Sequence, residues 1–205
     1  MTRVDVPAPN QDRRFLIDMA FDIGPEMVRA RIGARRRWGG AQGAAVRDAV
    51  VEALAAGTDW TPLVRGLADG DLEHARDLRG VPLGGVELSG VDLSWVRLDH
   101  AELSGAVLER ARLVGSTLTC ATARGARLAQ AHLSGAQLVA TDLRDADLRS
   151  ARLVDAAMTG SDLRGADLSG ADLTRAVLIG ADLAGAVLDG TVLTEARIGD
   201  CQPDR

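Results

Sequence analysis

From Val81 to Ile198 apolar residues return every five positions, without insertion. Leucine stands at Leu83, Leu88, Leu93, Leu98, Leu103, Leu108, Leu113 and Leu118; after Ala123 it resumes at Leu128 and runs to Leu193, interrupted by Met158, and Ile198 closes the series. Two residues before each stands a small side chain: Val81, Val86, Val91 and Val96 first, then mostly alanine from Ala101 to Ala196. An α-helix cannot use this spacing, because a step of five advances about 140° beyond a full turn and spreads the leucines around the cylinder. A flat strand cannot use it either, since an odd step sends successive leucines to opposite faces. The pattern predicts a chain that turns a corner about every five residues and aims each leucine at a common axis, which is a solenoid.

The chain before this is patterned differently. Residues 1–10 carry two prolines and no periodicity and are expected to be disordered. Over 11–78 the spacing is helical. Phe15, Leu16, Met19 and Ile23 share one face of a first helix that Gly24-Pro25 ends. Pro25 opens a second helix through Met27, Val28 and Ile32 to the basic run Arg35-Arg36-Arg37, which suits a helix C-terminus, and Gly39-Gly40 breaks it. A third helix is expected over Ala44–Ala56, with Val46, Val50 and Leu54 in register, and Trp60, Leu63, Val64 and Leu67 suggest a short fourth. Such an all-helical domain buries little alone. It is expected to cap the first coil of the solenoid, whose open edge would otherwise invite aggregation.

Composition narrows the core. Apolar residues make up 46% of the 205, yet there are only two Phe, three Trp and no Tyr, so leucine and alanine must fill a narrow interior. All 24 basic residues are arginine. Residues 1–80 hold twelve Arg against twelve acidic residues, whereas 81–200 hold eleven against sixteen, so the solenoid carries the net charge of −5. That balance argues against direct binding of nucleic acid, which requires phosphate neutralisation, and the plain reading of the excess is solubility. Arg35–Arg37 reads as a helix-terminal cluster on a solvated face. Cys120 and Cys201 are the only cysteines; they stand far apart along the repeat, and no bridge between them is expected. A reducing cytoplasm fits. The opening MTRVDVPAPNQDRR reads as no signal peptide, and no run approaches the ~18 apolar residues of a membrane span.

Catalytic chemistry is not apparent. His74, His100 and His132 lack metal spacing, and two cysteines do not complete a zinc set. The many glycines recur as repeat corners rather than as a phosphate loop between strand and helix. The aspartates recur by register instead of converging on a pocket. The reading is a non-enzymatic protein with no catalytic residue, no metal and no cofactor.

Quintets such as Ala166-Asp167-Leu168-Ser169-Gly170 follow the pattern Ala-(Asp/Asn)-Leu-X-X, and some 24 run in phase over 118 residues. In this the chain resembles the pentapeptide-repeat family. The resemblance implies a mainly β architecture: a right-handed quadrilateral β-helix with four quintets per coil and about six coils. The expected organisation is therefore a disordered 1–10, a helical N-terminal cap domain at 11–78, the β-helix at 79–200 and a short tail at 201–205.

Twenty residues per coil would stack positions twenty apart. On the face of Leu103, here the first face, the residue before the central one reads Glu102, Thr122, Asp142, Asp162, Asp182, and the residue after it reads Ser104, Arg124, Arg144, Arg164, Ala184. The second face adds Asp147 and Asp167, and the third has Asp172. The candidate partner-binding surface is accordingly acidic: Asp142, Asp147, Asp162, Asp167, Asp172 and Asp182. The fourth face is free of charge from Thr117 to Gly180. Its Val139, Ala157, Val177 and Ile179 are candidates for self-association or for packing against the cap.

The resemblance also suggests partners. Family members of similar size and acidity are dimeric rods that mimic duplex DNA and bind type II topoisomerases such as DNA gyrase, some of them in quinolone resistance or antibiotic self-immunity. This chain departs from them: it has no Phe after Phe21, no loop insertion and a longer helical segment. A second function stays open, a scaffold whose helical N-terminal domain makes the specific contact. A third, ligand binding or catalysis, would need a pocket near Trp60 and Trp95. The expected state is a homodimer, paired through C-terminal ends or charge-free faces.

Overall fold

A computed structural model describes residues 33, 36–64 and 76–199. The expected disordered start, the first helix, nearly all of the second, the tail and Cys201 lie outside these residues. The solenoid is present, and its register is direct. Parallel bridges join each residue that precedes a central position to the residue twenty further on, from Asp77 with Arg97 to Val177 with Arg197. Four quintets therefore make one coil, and about six coils rise roughly 29 Å at ~4.8 Å each.

Each quintet makes one short β contact and one corner, which is why the β structure consists of isolated bridges rather than long strands. At every corner the carbonyl of the central residue accepts the N–H three residues on, as Ala106 N–H to Leu103 O at 2.9 Å. The third residue of this turn has positive φ, a conformation natural to glycine. Eleven non-glycine residues adopt it as well, among them Trp95, Arg110 and Asp155. The other backbone groups join coils: Leu103 N–H donates to Thr122 O at 2.6 Å, and Thr122 N–H to Ala101 O at 2.9 Å.

Inside, the central residues from Leu78 to Leu178 are at most 3% exposed. Burying each leucine contributes about 1.5–3 kcal/mol, the main offset to the backbone entropy of so many turns. The small residue two places earlier fills the corner. Where it is Ser or Thr the hydroxyl finds a carbonyl: Ser116 Oγ donates to Leu113 O, Ser161 Oγ to Met158 O and Thr141 Oγ1 to Leu118 O, each at 2.8 Å. These buried polar atoms are thus satisfied.

The coil starts one quintet before Val81. Leu78 is fully buried and Asp77 already pairs with Arg97. Sequence reading misses this quintet because Arg76 stands where a small residue is expected. At the end of the rod that position is not enclosed, and the guanidinium reaches out to donate to Ser94 O at 2.6 Å.

Two helices precede the rod. Helix α1 spans Gly40–Ala55, beginning four residues before the expected start, and buries Gly43, Val50 and Leu54. Gly43 is required there, since a Cβ would lie 2.5 Å from the Trp38 carbonyl carbon. Helix α2 spans Thr61–Val64. Its start is held by Asp59 Oδ1, which accepts from Thr61 N–H at 3.0 Å and Thr61 Oγ1 at 2.8 Å.

The helical segment meets the first coil through a buried clasp. Arg37 Nη1 lies 3.0 Å from Asp77 Oδ2, with both side chains almost fully buried, and Arg37 Nη2 donates to Asp77 O at 3.0 Å. Trp38 Nε1 donates to Arg79 O at 2.9 Å. Burial pushes the Asp77 carboxyl up, but hydrogen bonds from the Arg79 side chain and N–H, with the Arg37 charge, outweigh it and hold it at about 2.

Candidate functional site

The outward chemistry of the rod is set within each quintet. An aspartate just before the central residue folds onto the N–H two places on and so opens the turn: Ser169 N–H donates to Asp167 Oδ1 at 2.9 Å, Thr174 N–H to Asp172 at 3.0 Å and Ala184 N–H to Asp182 at 3.0 Å. This local bond is why aspartate recurs at that position.

Where arginine follows the central residue, it forks the same carboxylate. Arg144 bonds Asp142 through Nε at 2.8 Å and Nη2 at 2.6 Å, Arg149 bonds Asp147 at 2.8 and 2.7 Å, and Arg164 bonds Asp162 at 2.8 and 2.6 Å. Each guanidinium also leans towards the next coil, Arg144 to Asp162 at 3.5 Å and Arg164 to Asp182 at 3.7 Å. The forks hold the carboxyls of Asp142 and Asp147 below the usual carboxylate range. Three of the six predicted contact carboxylates are therefore neutralised within their own quintets. Asp167, Asp172 and Asp182 are not forked, and they sit on three different faces near the C-terminal end of the rod. Hydroxyls serve the first two: Ser169 Oγ lies 2.5 Å from Asp167, Thr174 Oγ1 lies 2.6 Å from Asp172, and both carboxyls are held low.

On the fourth face the bridges stack Thr117, Gln137, Ala157 and Val177, with Val139 and Ile179 beside them. Val139, Ala157, Val177 and Ile179 are each half-buried. The hydrogen bonds and ion pairs of the described helical residues to this face fall on its first rung, at Asp77 and Arg79, ahead of the charge-free strip. Asp99 bounds the strip, accepting from Thr117 Oγ1 at 2.8 Å and Thr119 N–H at 3.0 Å.

Between helices and rod lies a cleft of about 480 Å³, whose wall includes Leu54, Asp59, Trp60, Arg76 and Asp92. Trp95 is not in this wall. Its ring lies over Gly115, one coil on, where a Cβ would come within 2.3 Å of the ring carbons. Among the described residues no group of His, Cys, Asp and Glu is placed to hold a metal ion, and no helix is long and apolar enough to cross a membrane.

Sequence reading passed over one column. On the third face the bridges stack Arg112, His132 and Arg152 directly above one another, flanked at the preceding corner by Arg110. The twenty-residue register contains this column; it escapes notice because attention to the aspartates singles out only Asp172 on that face.

With this geometry in place, a family model for pentapeptide repeats matches residues 87–122, 126–170, 141–178 and 171–202, in eight copies. The chain belongs to the pentapeptide-repeat family. Among solved structures, this pentapeptide-repeat protein is similar to a family member from the Arabidopsis thaliana thylakoid lumen, at 30% identity over 44% of this chain and 67% of that one, with a TM-score of 0.39. A pentapeptide-repeat protein of Nostoc Pcc 7120 is 31% identical over 56% of this chain and 78% of that one, with a TM-score of 0.42. QnrB1, a plasmid-mediated fluoroquinolone resistance protein, is 20% identical over 60% and 78%, with a TM-score of 0.36. No match is found among curated proteins.

Proposed function

We propose that this pentapeptide-repeat protein is a non-enzymatic interaction module acting through its surface. The observation that supports this best is the filled interior. The central residues from Leu78 to Leu178, at most 3% exposed, leave no room along the axis, so the rod offers its chemistry as columns of outward side chains. The proposed partner is a type II topoisomerase, DNA gyrase in particular, bound in place of DNA by a cytoplasmic homodimer, with antibiotic self-resistance as the consequence. The acidic excess of the rod and the unforked Asp167, Asp172 and Asp182 around one end support that choice. In a gyrase supercoiling assay, micromolar protein is expected to inhibit the enzyme or to relieve drug inhibition, and Asp167→Asn/Asp172→Asn/Asp182→Asn to lose the effect. No effect of the wild-type chain rejects the gyrase reading.

A scaffold whose helical segment makes the partner contact is the second reading, and the Arg37–Asp77 clasp supports it, because it fixes that segment on the rod. It expects partner binding to be lost in Asp48→Arg/Glu52→Arg, on the exposed side of α1, and kept in the triple Asn variant.

A further inference from the structure

The third face differs from the rest of an acidic rod. Between Asp92 and Asp172 its outward positions read Ser94, Arg112, Val114, His132, Ser134, Arg152 and Val154, with no carboxylate. Arg112, His132 and Arg152 occupy successive rungs, so their side chains stand ~4.8 Å apart along the rod. Arg112 is 57% exposed and lies 3.8 Å from Asp92, at the edge of ion-pair range. Arg152 is exposed, and no ion pair engages it among the described residues. Carboxylates across the two adjoining corners are already engaged, Glu109 by Arg127 and Asp155 by Arg175.

Trp95 stands at the corner of the same face. Its side chain is 69% exposed, the most exposed large apolar residue of the described chain. The backbone there has φ of 62°, and the ring is seated on Gly115. Towards the helices the face runs into the cleft walled by Trp60, Arg76 and Asp92.

An exposed aromatic ring on the same face as exposed arginines has the composition that dominates binding energy at protein interfaces. We propose that the third face is a docking track for a short, extended, acidic segment of a partner protein, gripped by Trp95 and by the Arg112–His132–Arg152 column. The occupant follows from charge and length. Asp92 to Arg152 spans three coil steps, about 14 Å, or four to five residues of extended chain. A nucleic-acid strand would have to continue past Asp92 and Asp172, which repel phosphates, whereas a short peptide ends between them. This track is separate from the C-terminal carboxylates and does not depend on gyrase as the partner.

The three tryptophans make the test direct. Trp38 and Trp60 are about 95% buried, so Trp95 is the one open to iodide quenching. The full chain is titrated with a fluorescent five-residue peptide, Asp-Ser-Asp-Ser-Asp, with the same peptide carrying Lys for Asp, and with an eight-nucleotide oligo-dT. The Asp peptide is expected to bind and to shield Trp95 from iodide. Arg112→Glu/Arg152→Glu is expected to weaken binding by about tenfold or more, and Trp95→Ala to weaken it too, with melting temperatures recorded for each variant. Arg124→Glu/Arg164→Glu, an equal charge change on the first face, should leave affinity unchanged. The proposal is overturned if the Asp peptide does not bind, if the third-face variant binds like the wild type or no worse than the first-face variant, or if the Lys peptide or oligo-dT binds as tightly.

Discussion

At the scale of single residues, two side chains hold the helical segment and one glycine sets the surface. The Arg37–Asp77 pair is nearly water-free, so removing one partner strands the other charge. Asp77→Asn is expected to destabilise the chain by about 3–5 kcal/mol, measured by denaturant unfolding. The pair also has a pH signature. Asp77 is depressed in the folded protein to about 2, so its contribution is complete above the ordinary aspartate value near 4 and is lost as pH falls towards 2. Acid titration of wild type and Asp77→Asn should therefore converge at the acid end; parallel curves would show that the pair does not titrate with folding. Gly115 acts differently. Its φ is 63°, and a Cβ would strike the Trp95 ring. Gly115→Ala is expected to cost about 1–2 kcal/mol from the backbone and to move the indole, raising its iodide quenching. An unchanged Trp95 signal would contradict the seating described.

At the scale of the quintet, interior and exterior contribute unequally. Leu148 is fully buried, and Leu148→Ala is expected to cost about 2–5 kcal/mol. Its neighbour Arg149 makes a well-formed fork, yet it lies in solvent, where ion pairs add little. Arg149→Ala should barely move the melting temperature, and a loss as large as that of Leu148→Ala would refute this division. The same inequality explains what could be read in advance. The leucine period is an interior constraint repeated two dozen times, so the solenoid was legible from it, whereas the four-quintet register, and with it the composition of each face, followed from the resemblance to the pentapeptide-repeat family. The Asp-to-Arg forks were legible as neighbouring columns of opposite charge, but not as bonds closed within one quintet, because the turn that brings Asp142 round to Arg144 is a backbone property. Leu78 was hidden by Arg76, tolerated at the open first corner. The start of α1 was hidden by Gly40 and Gly43, poor helix formers whose places are fixed by a turn and by contact with Trp38.

At the scale of the whole molecule, the two ends of the rod are not equivalent. The first coil is joined to helices by the clasp, whereas the last described coil leaves its wall open. Val187 is 42%, Leu188 39% and Val192 44% exposed, although the leucine one coil earlier, Leu168, is fully buried. No described coil lies over Leu188, and among the described residues the bridges to Val187 and Val192 come from one side only. Apolar side chains beside unpaired backbone edges favour association. Two rods meeting at these ends would cover both sets of side chains and bring together the carboxylates of Asp167, Asp172 and Asp182, whose repulsion salt would screen. The proposed dimer is thus expected to tighten as ionic strength rises. Val187→Asp/Val192→Asp should yield a monomer by light scattering at tens of micromolar, with the coil signal in circular dichroism retained. Association through the fourth face would instead survive that change and be broken by Val139→Asp/Val177→Asp. A wild-type chain that is monomeric at every salt concentration would remove the dimer from the proposed function.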